Sequence, residues 1–205
     1  IRPDLKIVVM SATIDAGYIC QSLGAPLIES EGRMFPVDVR HASEDLDLRQ
    51  VAQTAALAVT KAHREQEGDI LVFLPGQGEI ERCRQLLGDS LAPTQVLPLY
   101  GNLPPEQQRR AIAPSPAGGR KVVLATPIAE TSLTIEGVRT VIDSGLCRSL
   151  LFDPRTGLSH LETVRVSMDM AKQRSGRAGR VAPGTCYRLW TLAAEHQMEE
   201  QRKPE

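Results

Sequence analysis

Short apolar runs recur along this chain, and they constrain its fold more than any other feature. Leu5–Met10 (LKIVVM), Asp69–Leu74 (DILVFL) and Lys121–Ala125 (KVVLA) are each only five or six residues long, and Val138–Asp143, of mixed polarity, reads as a further strand. A continuous apolar run of that length, without alternation, suits a strand buried on both faces of a parallel sheet. It falls well short of the roughly 20 apolar residues a membrane span requires. Between the runs the pattern changes period. Leu48, Val51, Ala52, Ala55, Ala58, Val59 and Ala62 repeat at helical spacing, as do Ile80, Cys83, Leu86 and Leu87. Pro104–Ile112 opens with prolines, which suit the first turn of a helix. Further strands are expected at Pro26–Glu29, Val37–His41, Gln95–Tyr100 and Thr185–Trp190. Further helices are expected from an Asp15 cap through Leu23, at Met168–Ala178 and from Leu192. Strands alternating with helices predict an α/β fold, a parallel sheet with helices on both faces.

One segment departs from that alternation. Cys147–Phe152 and Leu161–Ser167 read as strands around Asp153-Pro154-Arg155-Thr156-Gly157. So dense a turn signal predicts a protruding β-hairpin. Ser30–Pro36 (SEGRMFP) is polar and carries Gly and Pro, which marks a domain boundary.

Composition narrows the functional classes. The formal net charge is −1, which argues against nucleic-acid binding through bulk positive charge. Aromatic residues make up 3% of the chain, too few for a base-stacking platform. Cys20, Cys83, Cys147 and Cys186 are far apart in sequence and have no His at metal-ligand spacing. No metal site is expected, and free thiols fit a cytoplasmic protein. Ile1-Arg2-Pro3-Asp4 has no signal-peptide pattern, and a chain that does not begin with Met is expected to be a fragment.

The segment richest in chemistry is Gln173–Arg180 (QRSGRAGR). As helix material it is poor. Each interior Gly costs about 1 kcal/mol relative to Ala, and arginines three residues apart repel one another. The glycines permit close backbone approach, and the arginines await an anion. A solvated basic helix end is the alternative.

The octet resembles motif VI of the DEAH/RHA-type superfamily 2 RNA helicases. Ala125–Val138 (ATPIAETSLTIEGV) resembles their motif V, and Ser11-Ala12-Thr13 their motif III. Leu71–Ile80 (LVFLPGQGEI) and Pro98–Gln108 (PLYGNLPPEQQ) resemble the segments around motif IV. Ser30–Val37 (SEGRMFPV) and Phe152–Leu158 (FDPRTGL) lean toward the bacterial HrpB branch.

The resemblance implies a second RecA-like motor domain over residues 32–205. Residues 1–31 would be the remnant of the first. Gln173, Arg177 and Arg180 would face the triphosphate of ATP as catalytic residues. Ser132, Thr134, Glu136 and Ile112 would line the nucleotide side, and Thr126, Gly101 and Asn102 the RNA side. Ser11 and Thr13 would couple the two domains. For Thr126 the residues agree, since a Thr before a Pro-started helix is a natural cap and a helix N-terminus attracts anions.

There are departures from the family pattern. Pro127 stands where the family has Asn, and Ile112 where eukaryotic relatives have a base-stacking aromatic. No G-x-x-x-x-G-K-[ST] loop and no Asp-Glu-Ala-His box is present. Mg²⁺ would therefore be held mainly by the first RecA-like domain, and the fragment alone would be inactive. The implied partners are single-stranded or duplex RNA, the chain's own first RecA-like domain and later C-terminal domains, with no membrane. A DNA-directed or viral-type helicase motor and a non-catalytic docking module are the competing readings.

Overall fold

The computed structural model describes residues 2, 5–10, 16–28, 34–115, 118–130 and 134–201. The chain divides into two compact units, Ile1–Arg33 and Met34–Glu205.

In the first unit, helix α1 spans Ala16–Leu23. Its expected cap, Asp15, lies outside the described residues. The strand expected at Leu5–Met10 does not form, and Val8 and Met10 are 78% and 87% exposed. The strand expected at Pro26–Glu29 is also absent over 26–28, and Glu29 lies outside the described residues. The reason is the same for both. A strand is completed by the backbone bonds of a neighbour, and no described residue pairs with either segment.

The second unit holds β1 (Val37–His41), α2 (Val51–Glu65), β2 (Asp69–Phe73), α3 (Gln77–Leu87), β3 (Gln95–Leu99) and α4 (Pro105–Ile112). Then come β4 (Lys121–Ala125), a 3-10 turn at Pro127–Ala129, β5 (Val138–Asp143), β6 (Leu146–Asp153) and β7 (Leu158–Arg165). Helix α5 (Met168–Gly176), a 3-10 turn at Arg177–Gly179, β8 (Gly184–Arg188) and α6 (Leu192–Glu195) follow. Six strands form one sheet in the order β1-β8-β5-β2-β4-β3. Every pairing in it is parallel.

The apolar runs occupy its centre. All five residues of β2 and of β4 are buried. Side chains alternate across the sheet, so β2 feeds two cores. Ile70, Val72 and Leu74 pack with Val51, Ala55, Val59, Ile80 and Cys83 from α2 and α3. Leu71 and Phe73 pack on the other face with Ala111 of α4, Ala129, Val141 and Ala178. Helices therefore cover both faces, as the periodicity predicts. Each fully buried aliphatic or aromatic side chain contributes about 1.5–3 kcal/mol.

Two helical readings shift. Leu48 precedes α2 and is exposed, and Leu86 of α3 is exposed as well. Ala56, instead, is buried on α2. The expected Met168–Ala178 helix changes to 3-10 geometry at Arg177.

β6 and β7 pair antiparallel as a separate two-stranded sheet, with Leu150 opposite Leu161 and Asp153 opposite Leu158. Its root belongs to the core. Leu146 packs with the α2–α3 side, and Cys147 and Val166 pack with Met170, Ala171 and Trp190. Its distal part does not, since Leu150, Phe152, Leu158 and Leu161 are all more than half exposed.

Candidate nucleotide and nucleic-acid site

Motif VI sits where its glycines allow it. A Cβ on Gly176 would lie 2.9 Å from Met34 Cε. One on Gly179 would collide with the Phe35 carbonyl oxygen and lie 2.8 Å from Val37 Cγ2. The Phe35 N–H donates to the Gly179 carbonyl at 2.8 Å. The octet is thus pressed onto the segment entering β1, and this close approach is what its glycines serve.

The arginines of the octet have three different fates. Arg174 is completely buried. Its Nε donates to Glu130 Oε1 at 2.5 Å, and its Nη1 donates to Asp143 Oδ1 at 2.8 Å and to the Leu146 carbonyl at 3.2 Å. The guanidinium lies 4.9 Å from the centre of the Phe73 ring. Burial alone lowers its pKa, but Asp143 and then Glu130 reverse the sign, and the net shift is upward.

Arg177 is buried too, and its Nη2 donates to the carbonyl oxygen of Glu130. Burial first, then the charge of Arg180, pull it down to about 10, with Glu130 opposing. It still carries its charge at neutral pH. Arg180 is exposed, and its Nη1 donates to Thr134 Oγ1 at 3.1 Å. Leu71, Ala129, Ile135 and Val138 line a narrow crevice together with Arg177 and Arg180. Two guanidinium groups of the octet therefore meet the 125–138 segment at one place.

Gln173 is half-buried on α5, one residue before Arg174. Ser132 lies outside the described residues, as do Ser11 and Thr13. Glu136 is exposed and Ile112 half-buried, and both stand near Lys121. Lys121 is buried and its Nζ donates to the Ile112 carbonyl at 3.4 Å and to the Ala113 carbonyl, closing the end of α4. Its pKa is lowered by burial, against the opposing charges of Asp69 and Glu136.

The residues expected on the nucleic-acid side gather at the C-terminal ends of the strands, where ligands of open parallel sheets bind. The Thr126 N–H donates to the Leu99 carbonyl at 3.1 Å, so the turn after β4 lies beside the turn after β3. Gly101 and Asn102 are exposed in that second turn. A Cβ on Gly101 would meet nothing within 4 Å. No contact within the fold requires glycine there.

The capping role of Thr126 needs correction. It precedes a 3-10 turn of three residues, and its hydroxyl makes no capping bond. Three residues carry too few aligned peptides for an appreciable dipole. Any anion contact made by Thr126 must use its hydroxyl, because its N–H already donates to the Leu99 carbonyl and no α-helix starts there.

The residues that the sequence reading missed are Arg174, Glu130 and Asp143. Motif VI reads as arginines awaiting a ligand, and nothing local separates the buried one from the others. Two acids offered a faint signal, Glu130 in the turn after a buried strand and Asp143 ending an apolar one.

Among the described residues no group of His, Cys, Asp and Glu could hold a metal ion. No helix of the described residues is long and apolar enough to cross a membrane.

Comparison with known proteins supplies the family. The helicase conserved C-terminal domain matches residues 50–182. The ATP-dependent RNA helicase HrpB of Escherichia coli (strain K12) is 46% identical over 207 aligned residues, which take in 100% of this chain and 26% of that protein. The pre-mRNA-splicing factor ATP-dependent RNA helicase prp22 of Schizosaccharomyces pombe is 44% identical over 94% of this chain and 17% of its own length. The chain thus spans about a quarter or less of these curated relatives. Among solved structures, the Escherichia coli DEAH/RHA helicase HrpB matches with a TM-score of 0.90 at 46% identity, over 99% of this chain and 26% of that one. With that fold and that similarity along its length, the chain belongs to the helicase conserved C-terminal domain family, as a RecA-like α/β fragment of the DEAH/RHA HrpB type.

Proposed function

We propose that residues 32–205 act as the second motor domain of an ATP-dependent RNA helicase, and that residues 1–31 are the end of the first. The observation that carries this reading is that Arg177 and Arg180 line one narrow crevice, Arg177 bonded to the Glu130 carbonyl and Arg180 to the Thr134 hydroxyl. Two guanidinium groups suit the γ-phosphate of ATP, where an arginine finger is worth about 10³–10⁵ in rate. Among the described residues, Arg177 and Arg180 offer two adjacent cations for a triphosphate. That donor set fits half of a nucleotide site, with Mg²⁺ and most phosphate contacts supplied by the domain that carries the phosphate loop.

In this reading Arg177 and Arg180 stabilise the charge that develops on the transferred phosphoryl group, and Gln173 helps to fix it. Thr134, already bonded to Arg180, ties the fingers to the turn that begins at Thr126. Ser132 orients the attacking water with Thr134. Glu136 and Ile112 border the nucleoside. Thr126, Gly101 and Asn102 hold RNA phosphates, so sequence preference is weak. Ser11 and Thr13 couple the two motor domains. In this reading the protein acts in the cytoplasm.

The test has two parts. The 205-residue chain alone should hydrolyse ATP no faster than background, and the intact protein should hydrolyse it faster with single-stranded RNA than with single-stranded DNA. Turnover by the purified chain would refute the split site, and equal or greater stimulation by DNA would favour a DNA-directed motor.

A further inference from the structure

Glu130 joins two arginines of motif VI by two different atoms. Its carboxylate oxygen accepts from Arg174 Nε at 2.5 Å, and its main-chain carbonyl accepts from Arg177 Nη2. Arg174 is itself fixed on its other side by Asp143 Oδ1 at 2.8 Å and by the Leu146 carbonyl at 3.2 Å. Asp143 Oδ1 also accepts the Gly145 N–H at 2.8 Å, so the turn leading from β5 into the hairpin is held by the same cluster. Arg174 and Asp143 are both completely buried. Together Arg174, Arg177, Glu130 and Asp143 make two cations and two carboxylates, a balanced set in a dry setting where unbalanced charge is expensive.

We infer that Glu130 and Arg174 are positioning residues for the finger Arg177, because the carboxylate that Arg174 clamps belongs to the same residue whose carbonyl holds Arg177. This rests on the reading of Arg177 as a finger. The clamp sets where that carbonyl lies, and the carbonyl sets where the guanidinium waits. A charged hydrogen bond from a side chain of helix α5 fixes the turn residue Glu130 more firmly than the turn alone would. The cluster also makes the hairpin root and the finger one rigid body.

A double-mutant cycle in the intact protein tests this. Glu130→Gln keeps the main-chain carbonyl and the side-chain shape but removes the charge that Arg174 clamps. It should lower kcat for ATP at least about 10-fold with KM within about 2-fold, since an error of about 1 Å at a reacting group costs up to about 10²-fold. In an Arg177→Ala background the same change should have almost no further effect on kcat, because a positioning residue acts only through the group it positions. Multiplicative losses would overturn the proposal, as would Glu130→Gln with normal kcat where Arg177→Ala is slow. An Arg177→Ala protein with normal kcat would instead refute the finger reading itself. Circular dichroism of the 205-residue chain checks the fold of each variant. If Glu130→Gln alone unfolds it, the Glu130→Gln/Arg174→Gln pair, whose amides can bond each other and Asp143, carries the same cycle with the same two outcomes.

Discussion

Arg174→Ala should destabilise this domain by about 4 kcal/mol, far more than the loss of an exposed arginine. The side chain has no exposure to solvent, donates to two carboxylates and one carbonyl, and lies on the Phe73 ring. Removing one member of a buried ion pair costs about 3–5 kcal/mol, because its partners stay buried without their counter-charge. The contact with Phe73 adds up to about 1–2 kcal/mol, and relaxation with water entry takes some of it back. In urea, with a slope of about 2 kcal/mol per M for a unit of this size, the midpoint should fall by about 2 M. Trp190 is the chain's one tryptophan and is buried beside Cys147 and Val166, so its fluorescence reports the unit in question. The neutral triple variant Arg174→Met/Glu130→Gln/Asp143→Asn should recover at least half the loss, since the cost lies in unpaired charge, not in missing volume. A midpoint shift below about 0.5 M for Arg174→Ala, or a triple variant less stable than the single one, would refute this account.

Three further outcomes are expected. Gly179→Ala should cost at least about 2 kcal/mol in the same urea assay, because its Cβ meets the Phe35 carbonyl oxygen, which cannot rotate away; an unchanged midpoint would contradict the close approach. Maleimide at pH 8 should label Cys20 within minutes and leave Cys83, Cys147 and Cys186 unlabelled in the folded chain: the three are buried, and burial pushes the Cys83 thiol up to about 12 and Cys186 up as well. Rapid labelling of more than one thiol, counted by intact mass, would contradict the core as described. Replacing residues 149–162 by a short Gly/Ser loop should keep the chain within about 1 kcal/mol of its stability and the intact protein's ATPase within about 2-fold, while duplex unwinding is lost; retained unwinding would remove the hairpin's distal part from the mechanism.

The strands of the sheet were legible because burial on both faces leaves an unmistakable run, as in Asp69–Phe73 and Lys121–Ala125. The same signal misled at Leu5–Met10, where an apolar run exists without a pairing neighbour among the described residues. Composition describes a strand's faces, and pairing makes the strand. Among the site residues, Arg180 bonds Thr134, and Arg177 and Arg180 lie side by side against Ala129 and Ile135. The motifs could not reveal that Arg174 faces inward, because its partners Glu130 and Asp143 stand 44 and 31 residues away. Nor could they show that Thr126 precedes only a three-residue turn, since Pro127 starts a 3-10 turn as readily as an α-helix. The hairpin was visible from its turn residues, but the division into a packed root and an exposed distal part depends on Trp190 and Met170, which are distant in sequence.

The central claim is that Arg180 and Arg177 serve the phosphoryl-transfer step. Single-turnover ATP hydrolysis by the intact protein, saturated with single-stranded RNA, measures it most directly for wild type and Arg180→Ala. Loss of a group that acts mainly in the transition state should lower the rate of the chemical step by at least about 10²-fold and leave nucleotide-free RNA affinity unchanged. A hydrolysis rate within about 3-fold of wild type, with folding intact, would contradict the claim and leave Arg180 as a surface partner of Thr134.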